Sequence, residues 1–248
     1  GPGVSGVTFR DLLLHQAGFN YPANQSVFTN RDLSTMIATG VVDNTDPPNQ
    51  VYSNAHHNLM RVMVPEILGA APLFGENDDT FRARVFGNYV EDVVFDAAGV
   101  TARVTPPADP NRYYAFPDDG NGGVGTESGW FFSTDFGAYG WYLSAVEIVA
   151  ILSYINYTED IISQEMRETM NLEELGYWNS RTGDKGRYLM KQGGWAYTVD
   201  GVSKGMQSIA AHFPGGVDAA VIVNSRIAPA FNMAGEMRDA FDASFVDP

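Results

Sequence analysis

At 248 residues, with 44% hydrophobic and 18% charged side chains, the chain can bury a sizeable core without disulfides or metals to hold it. Fifteen basic against thirty acidic residues give a formal charge of −15, which repels phosphate backbones and anionic lipid and excludes nucleic acid as an expected partner. With no cysteine there is no disulfide, thiolate metal site or cysteine nucleophile, and no apolar run reaches the roughly 18 residues a membrane span needs.

Thr8-Phe9-Arg10-Asp11 before Leu12-Leu13-Leu14 predicts a capping box opening a short helix that Gly18 stops. Asn30 is the expected cap of a second helix through Ile37, and Gly40 to Val51 is loop. Leu59, Val62, Met63 and Ile67 recur near helical spacing, so Asn54 to Leu68 is an amphipathic helix directly behind Tyr52-Ser53-Asn54. Another helix is expected over Thr80 to Phe95. Val100 to Gly129, crowded with Pro, Gly, Asp and Asn, is an irregular candidate wall for a site. Ser144 to Ile155 and Ser163 to Met170 read as helices opened by serine. Arg187 to Met190, Trp195 to Val199, Gln207 to His212 and Ala219 to Asn224 read as consecutive antiparallel strands, and Met233 to Phe245 as a closing helix. The expected organisation is one domain over residues 1–248, mainly helical and loop-rich over 8–175, with antiparallel strands and a helix over 186–248.

Four histidines are present, His15, His56, His57 and His212, none paired at the i, i+4 spacing of a helical zinc site, so no metal and no cofactor is expected. Gly201-Val202-Ser203-Lys204-Gly205 matches Gly-x-Ser-x-Gly, but it joins two strand-like runs and reads as a hairpin turn. At the mouth of a helix, Tyr52 and Asn54 can aim a phenol and an amide into one cleft, or serve as a packed ring and a helix cap. Lys191-Gln192-Gly193-Gly194 lies on a strand, where glycines admit a substrate beside an ammonium; the alternative is an edge lysine that discourages aggregation.

Taken together, these segments resemble the serine β-lactamase / penicillin-binding-protein-like superfamily, in its branch of class C β-lactamases, D-aminopeptidases and related esterases. Val7 to Phe19 resembles that family's Thr-hydrophobic-Arg-x-Leu-Leu-x-His-x-x-Gly-hydrophobic stretch, and Tyr52-Ser53-Asn54 its Tyr-x-Asn. Gly140 to Ser144 with Glu147 is similar to its Gly-Gly-hydrophobic-x-Ser-x-x-Asp/Glu helix start, Lys191-Gln192-Gly193 to its Lys/His-x-Gly, and His212 to Ser225 to its closing strand pair. The matches run in family order over about residues 7 to 245.

The resemblance implies an α/β (α+β) fold, β-lactamase/transpeptidase-like: an antiparallel sheet flanked by helices, with an all-helical lobe. It also implies Tyr52 and Lys191 as catalytic residues, Asn54, Gly193 and Gly194 as substrate-binding residues, and export from the cytoplasm. The family's Ser-x-x-Lys is absent: the residues three before Lys185, Lys191 and Lys204 are Thr182, Tyr188 and Gly201. The expectation is therefore the C-terminal portion of a serine hydrolase for ester, amide or β-lactam carbonyls. The N-terminal strands and nucleophile helix would come from an upstream segment or a second chain, or self-association would cover their place. The alternative is a non-catalytic binding or scaffold protein on the same fold; independent catalysis by Ser203 is a third reading. Asn24-Gln25-Ser26 and Asn156-Tyr157-Thr158 fit the glycosylation tripeptide.

Overall fold

The computed structural model describes residues 1–20, 28–43, 45, 47–101, 116–117, 136–178, 180–199, 201–225 and 232–244. Asn24 to Ser26 and nearly all of the Val100 to Gly129 wall lie outside the described residues. The chain divides into two compact units, Gly1–Asp96 with Trp130–Trp141, and Ala97–Gly129 with Tyr142–Pro248.

Each of the four α-helices described in the first unit has a side-chain cap that its sequence supplies. Helix α1 (Phe9–Leu13) opens on the expected box, the Thr8 hydroxyl accepting from the Asp11 amide while the Asp11 carboxylate accepts from the Thr8 amide. It ends well before Gly18, because His15 takes a left-handed φ of 57° that turns the chain out of the helix. Helix α2 (Asn30–Thr39) is capped by Thr29, not Asn30, through a second box with Asp32. Asn30 is instead buried, its amide donating to Asp78 and its backbone to Asp79. Helix α3 (Asn54–Ile67) is capped by Ser53. Helix α4 (Asp78–Val90) is capped by Asn77 and runs on into a wider turn over Glu91–Phe95, where the Asp96 amide reaches the Glu91 carbonyl.

The inner faces of α1, α2 and α3 meet in a core of Leu12, Phe19, Phe28, Leu33, Met36 and Leu59. Arg61, fully buried on α3, donates to the carbonyls of Phe28 (2.7 Å) and Phe136 (3.4 Å) and to Asn30 Oδ1 (3.2 Å), with Asp79 at 3.8 Å. A buried guanidinium persists only where its donors meet acceptors, and here one side chain ties three stretches of chain together.

The second unit is built on an antiparallel sheet of β1 (Phe116–Pro117), β2 (Arg181–Gly183), β3 (Gly186–Val199), β4 (Val202–Phe213) and β5 (Val217–Val223), ordered β1-β4-β3-β2 with β5 also on β4. The two short runs expected at Arg187–Met190 and Trp195–Val199 are one strand. Gly193 and Gly194 do not break it, because Ser208 and Gln207 stand opposite them in an unbroken ladder. The Gly-x-Ser-x-Gly stretch is a hairpin entry, with Thr198 opposite Ser203 and Val199 opposite Val202.

Strand alternation gives the sheet two unlike faces. Tyr188, Met190, Ile209, Ala211, Phe213, Val221 and Val223 lie on one face, covered by Met233, Ala234, Met237 and Phe241 of helix α7 (Met233–Ser244). The opposite face carries Lys191, Ala210 and Ala220 in one row and His212 and Asp218 in another. Helix α5 (Ala145–Tyr157), opened by the Ser144–Glu147 box, packs there through its polar residues: Asn156 Nδ2 (2.9 Å) and Ser153 Oγ (3.4 Å) both donate to Asp218. Asn156 is buried in that bond, which removes it as a glycosylation acceptor. Helix α6 (Gln164–Glu173) follows, capped by Ser163. The result is a mixed α/β protein whose antiparallel sheet is flanked by helices.

Candidate active site

One group of candidate residues stands at the N-terminus of α3. Because Ser53 takes the capping role, Tyr52 and Asn54 are freed from it, and the Tyr52 hydroxyl donates to Asn54 Oδ1 over 3.4 Å. Tyr52 is 41% exposed, yet its ring leans on that of buried His15, centroids 4.4 Å apart. Burial raises the phenol above its ordinary pKa of about 10, so at neutral pH it is a protonated donor.

The support beneath Tyr52 is a set of imidazoles, of which only His15 falls in one of the family-like stretches of the sequence. His15 Nδ1 lies 2.8 Å from His56 Nδ1 and 3.4 Å from the Ser53 amide, while the His57 ring stands edge-on to His15 at 5.0 Å. Since the Ser53 N–H donates to His15 Nδ1, that atom is an acceptor, and the short contact assigns the proton to His56 Nδ1. Burial lowers the His56 pKa to about 4, so this imidazole is neutral at ordinary pH. The local sign of the arrangement was the strained φ of His15, which aims its ring back at Ser53.

A second group lies on β3. Lys191 is half-buried on the polar face of the sheet, and desolvation lowers its ammonium to a pKa of about 8. It is not a simple edge lysine: Ala210 stands opposite on β4, and Trp178 bridges to it on the other side. The Trp178 amide donates to the Met190 carbonyl, so the backbone of Met190 faces away from β4. Strand alternation then turns the Gly194 N–H toward that same edge, where no strand pairs with Gly194 among the described residues. A Cβ on Gly194 would stand 2.9 Å from the Met206 carbonyl oxygen, which is why the position is glycine.

Tyr52 and Asn54 thus belong to the first unit, and Lys191, Gly193 and Gly194 to the second. Among the described residues no group of three or more His, Asp or Glu side chains could hold a metal ion, and no helix is long and apolar enough to cross a membrane.

No protein-family model and no curated protein matches the chain. Among solved structures it is similar to the D-amino acid amidase from Ochrobactrum anthropi SV3 complexed with D-phenylalanine: TM-score 0.56, 15% identity, 99% of this chain and 75% of that one. The same amidase with L-phenylalanine amide gives TM-score 0.56 and 15% identity over 98% of this chain and 73% of that one. SurE gives 0.52 and 15% over 90% of this chain and 52% of its own. At this identity the likeness is one of fold alone: the chain shares the mixed α/β fold of these structures.

Proposed function

We propose that this chain is the larger part of a serine hydrolase that cleaves an amide or ester carbonyl through an acyl-enzyme. The observation that carries the reading is the likeness of 99% of the chain to a D-amino acid amidase. The side chains of the two groups suit that chemistry. Tyr52 acts as the proton donor to the leaving group, Asn54 holds the acyl part, Lys191 supplies positive charge, and the Gly194 amide is one oxyanion donor. The nucleophile and its lysine come from a Ser-x-x-Lys segment outside these 248 residues, on upstream polypeptide or on a second chain.

A second reading rests on the absence of Ser-x-x-Lys: a binding or scaffold protein that keeps the cleft without acyl transfer. Intact-mass measurement after treatment with a serine-reactive fluorophosphonate separates the two. The hydrolase reading expects no adduct on the 248-residue chain and one adduct per molecule when upstream polypeptide is present. In that extended protein, Tyr52→Phe slows turnover by about 10² to 10⁴. An adduct on the short chain would transfer the chemistry to another serine, and no adduct on either would leave the scaffold.

A further inference from the structure

On the apolar side of the sheet, away from Lys191, a cavity of about 150 Å³ opens between β2, β3 and the first turns of α7. Its floor is apolar and buried, formed by Met190 and the Tyr188 ring, whose hydroxyl is committed to Asp242. Its polar lining is Arg181 from β2, Gln192 from β3, Arg238 from α7 and Asn232 just before α7. This protein has twice as many acidic as basic residues, yet two of its fifteen cationic side chains line this one small space.

Arg238 is ion-paired with Asp239 and also lies in the field of Asp242, the carboxylate bonded to Tyr188. Arg181 donates through one Nη to the carbonyl of Ser180, and Arg238 donates through Nε and Nη2 to Asp239, each bond being to a sequence neighbour. Both retain donors for a further acceptor, since a guanidinium has five. Asn232 caps α7, accepting from the Gly235 amide, and so brings the positive end of a twelve-residue helix to the same wall.

We infer that this cavity binds a small monocarboxylate, the carboxylate held between Arg181 and Arg238 and a short apolar tail laid on Met190 and Tyr188. Two forks converging on an apolar floor suit a carboxylate with a tail better than a bare inorganic anion, which would leave the floor unfilled. If the chain hydrolyses an amide or ester, as proposed above, its product is of this chemical class. Gln192 stands between Lys191 and Gly193 on the strand, so the cavity lies on the face of β3 opposite the Lys191 side chain.

The test is calorimetric titration of the 248-residue chain with sodium benzoate, benzamide and sodium phosphate, repeated on Arg181→Gln and Arg238→Gln. Saturable benzoate binding is expected, with benzamide at least about tenfold weaker because it lacks the charge. Each variant should weaken benzoate by about tenfold; Arg181→Gln should leave the thermal midpoint of the free protein nearly unchanged, since its guanidinium donates to the adjacent Ser180 carbonyl, whereas Arg238→Gln also removes the charge beside Asp239 and Asp242 and should lower it slightly. Equal binding of benzoate and benzamide, binding of phosphate as tight as benzoate, or benzoate affinity unaltered in both variants would each overturn the assignment, as would no saturable binding. Turnover enters none of these readouts, so failure here and failure of the hydrolase reading are separately visible.

Discussion

The buried His56 makes the folded protein sensitive to mild acid. Its folded pKa of about 4 lies below the 6.5 of a free imidazole, so between these values the unfolded chain takes up a proton that the folded chain refuses. Stability from this group is complete above about pH 6.5 and drains away as the pH falls toward 4, at about 1.4 kcal/mol per pH unit in the steep part. At pH 4.5 the loss integrates to about 2.5 kcal/mol, a large share of the 5 to 15 kcal/mol of a typical domain. Carboxylates titrate in the same region, so the measurement is a difference: urea unfolding of the parent and of His56→Gln from pH 7.5 to 4.5. The glutamine keeps an N–H for His15 Nδ1 but has nothing to protonate. It should be the less stable protein at pH 7.5, by about 1 to 2 kcal/mol for poorer packing and geometry. Its deficit should shrink steadily and reverse near pH 5. Two stability curves that stay parallel over the range would refute the reasoning.

Two further substitutions probe β3. Lys191→Met, which removes the cost of burying an ammonium, should raise stability at pH 7 by about 1 to 3 kcal/mol in denaturant unfolding while abolishing any activity of the complete enzyme. Gly194→Ala would press its Cβ against the Met206 backbone carbonyl and should cost about 1 to 3 kcal/mol; Gly193→Ala meets only the hydroxyl of Ser208, which rotates aside, and should cost less than about 1. Thermal unfolding of the two variants side by side checks the contrast, and equal costs would sink it.

Local chemistry was legible in the sequence wherever it acts over three or four residues. The Thr8–Asp11 and Ser144–Glu147 boxes are read from spacing alone, because cap and partner are neighbours along the chain. The cap of α2 was misplaced by one residue although Thr29-x-x-Asp32 carries the same signature; Asn30 is a good cap by type, but its amide is taken by Asp78, 48 residues away. The break expected at Gly193-Gly194 failed for a similar reason. Glycine weakens a strand locally, but eleven residue pairs with β4 hold this one straight through. The contact of His15 with His56 joins positions 41 apart and left no periodic trace. Tyr52, Asn54, Lys191, Gly193 and Gly194 were named through a family pattern; spacing alone did not separate Tyr-x-Asn from an ordinary helix cap.

The two faces of the sheet explain how a half-buried lysine is tolerated. An all-apolar sandwich would leave an ammonium at Lys191 among hydrocarbon, where it would lose its proton or force the layers apart. Here only the α7 side is built that way, from aromatic and aliphatic side chains in alternate positions of three strands. On the Lys191 side the contact with α5 is polar. Asp218, 2% exposed, gathers His212 Nδ1 at 2.7 Å together with Asn156 and Ser153, so helix and sheet are joined by hydrogen bonds directed at one carboxylate. The Asp218 hydrogen bonds thus give the sheet face that carries Lys191 a partly polar covering, unlike the face under α7.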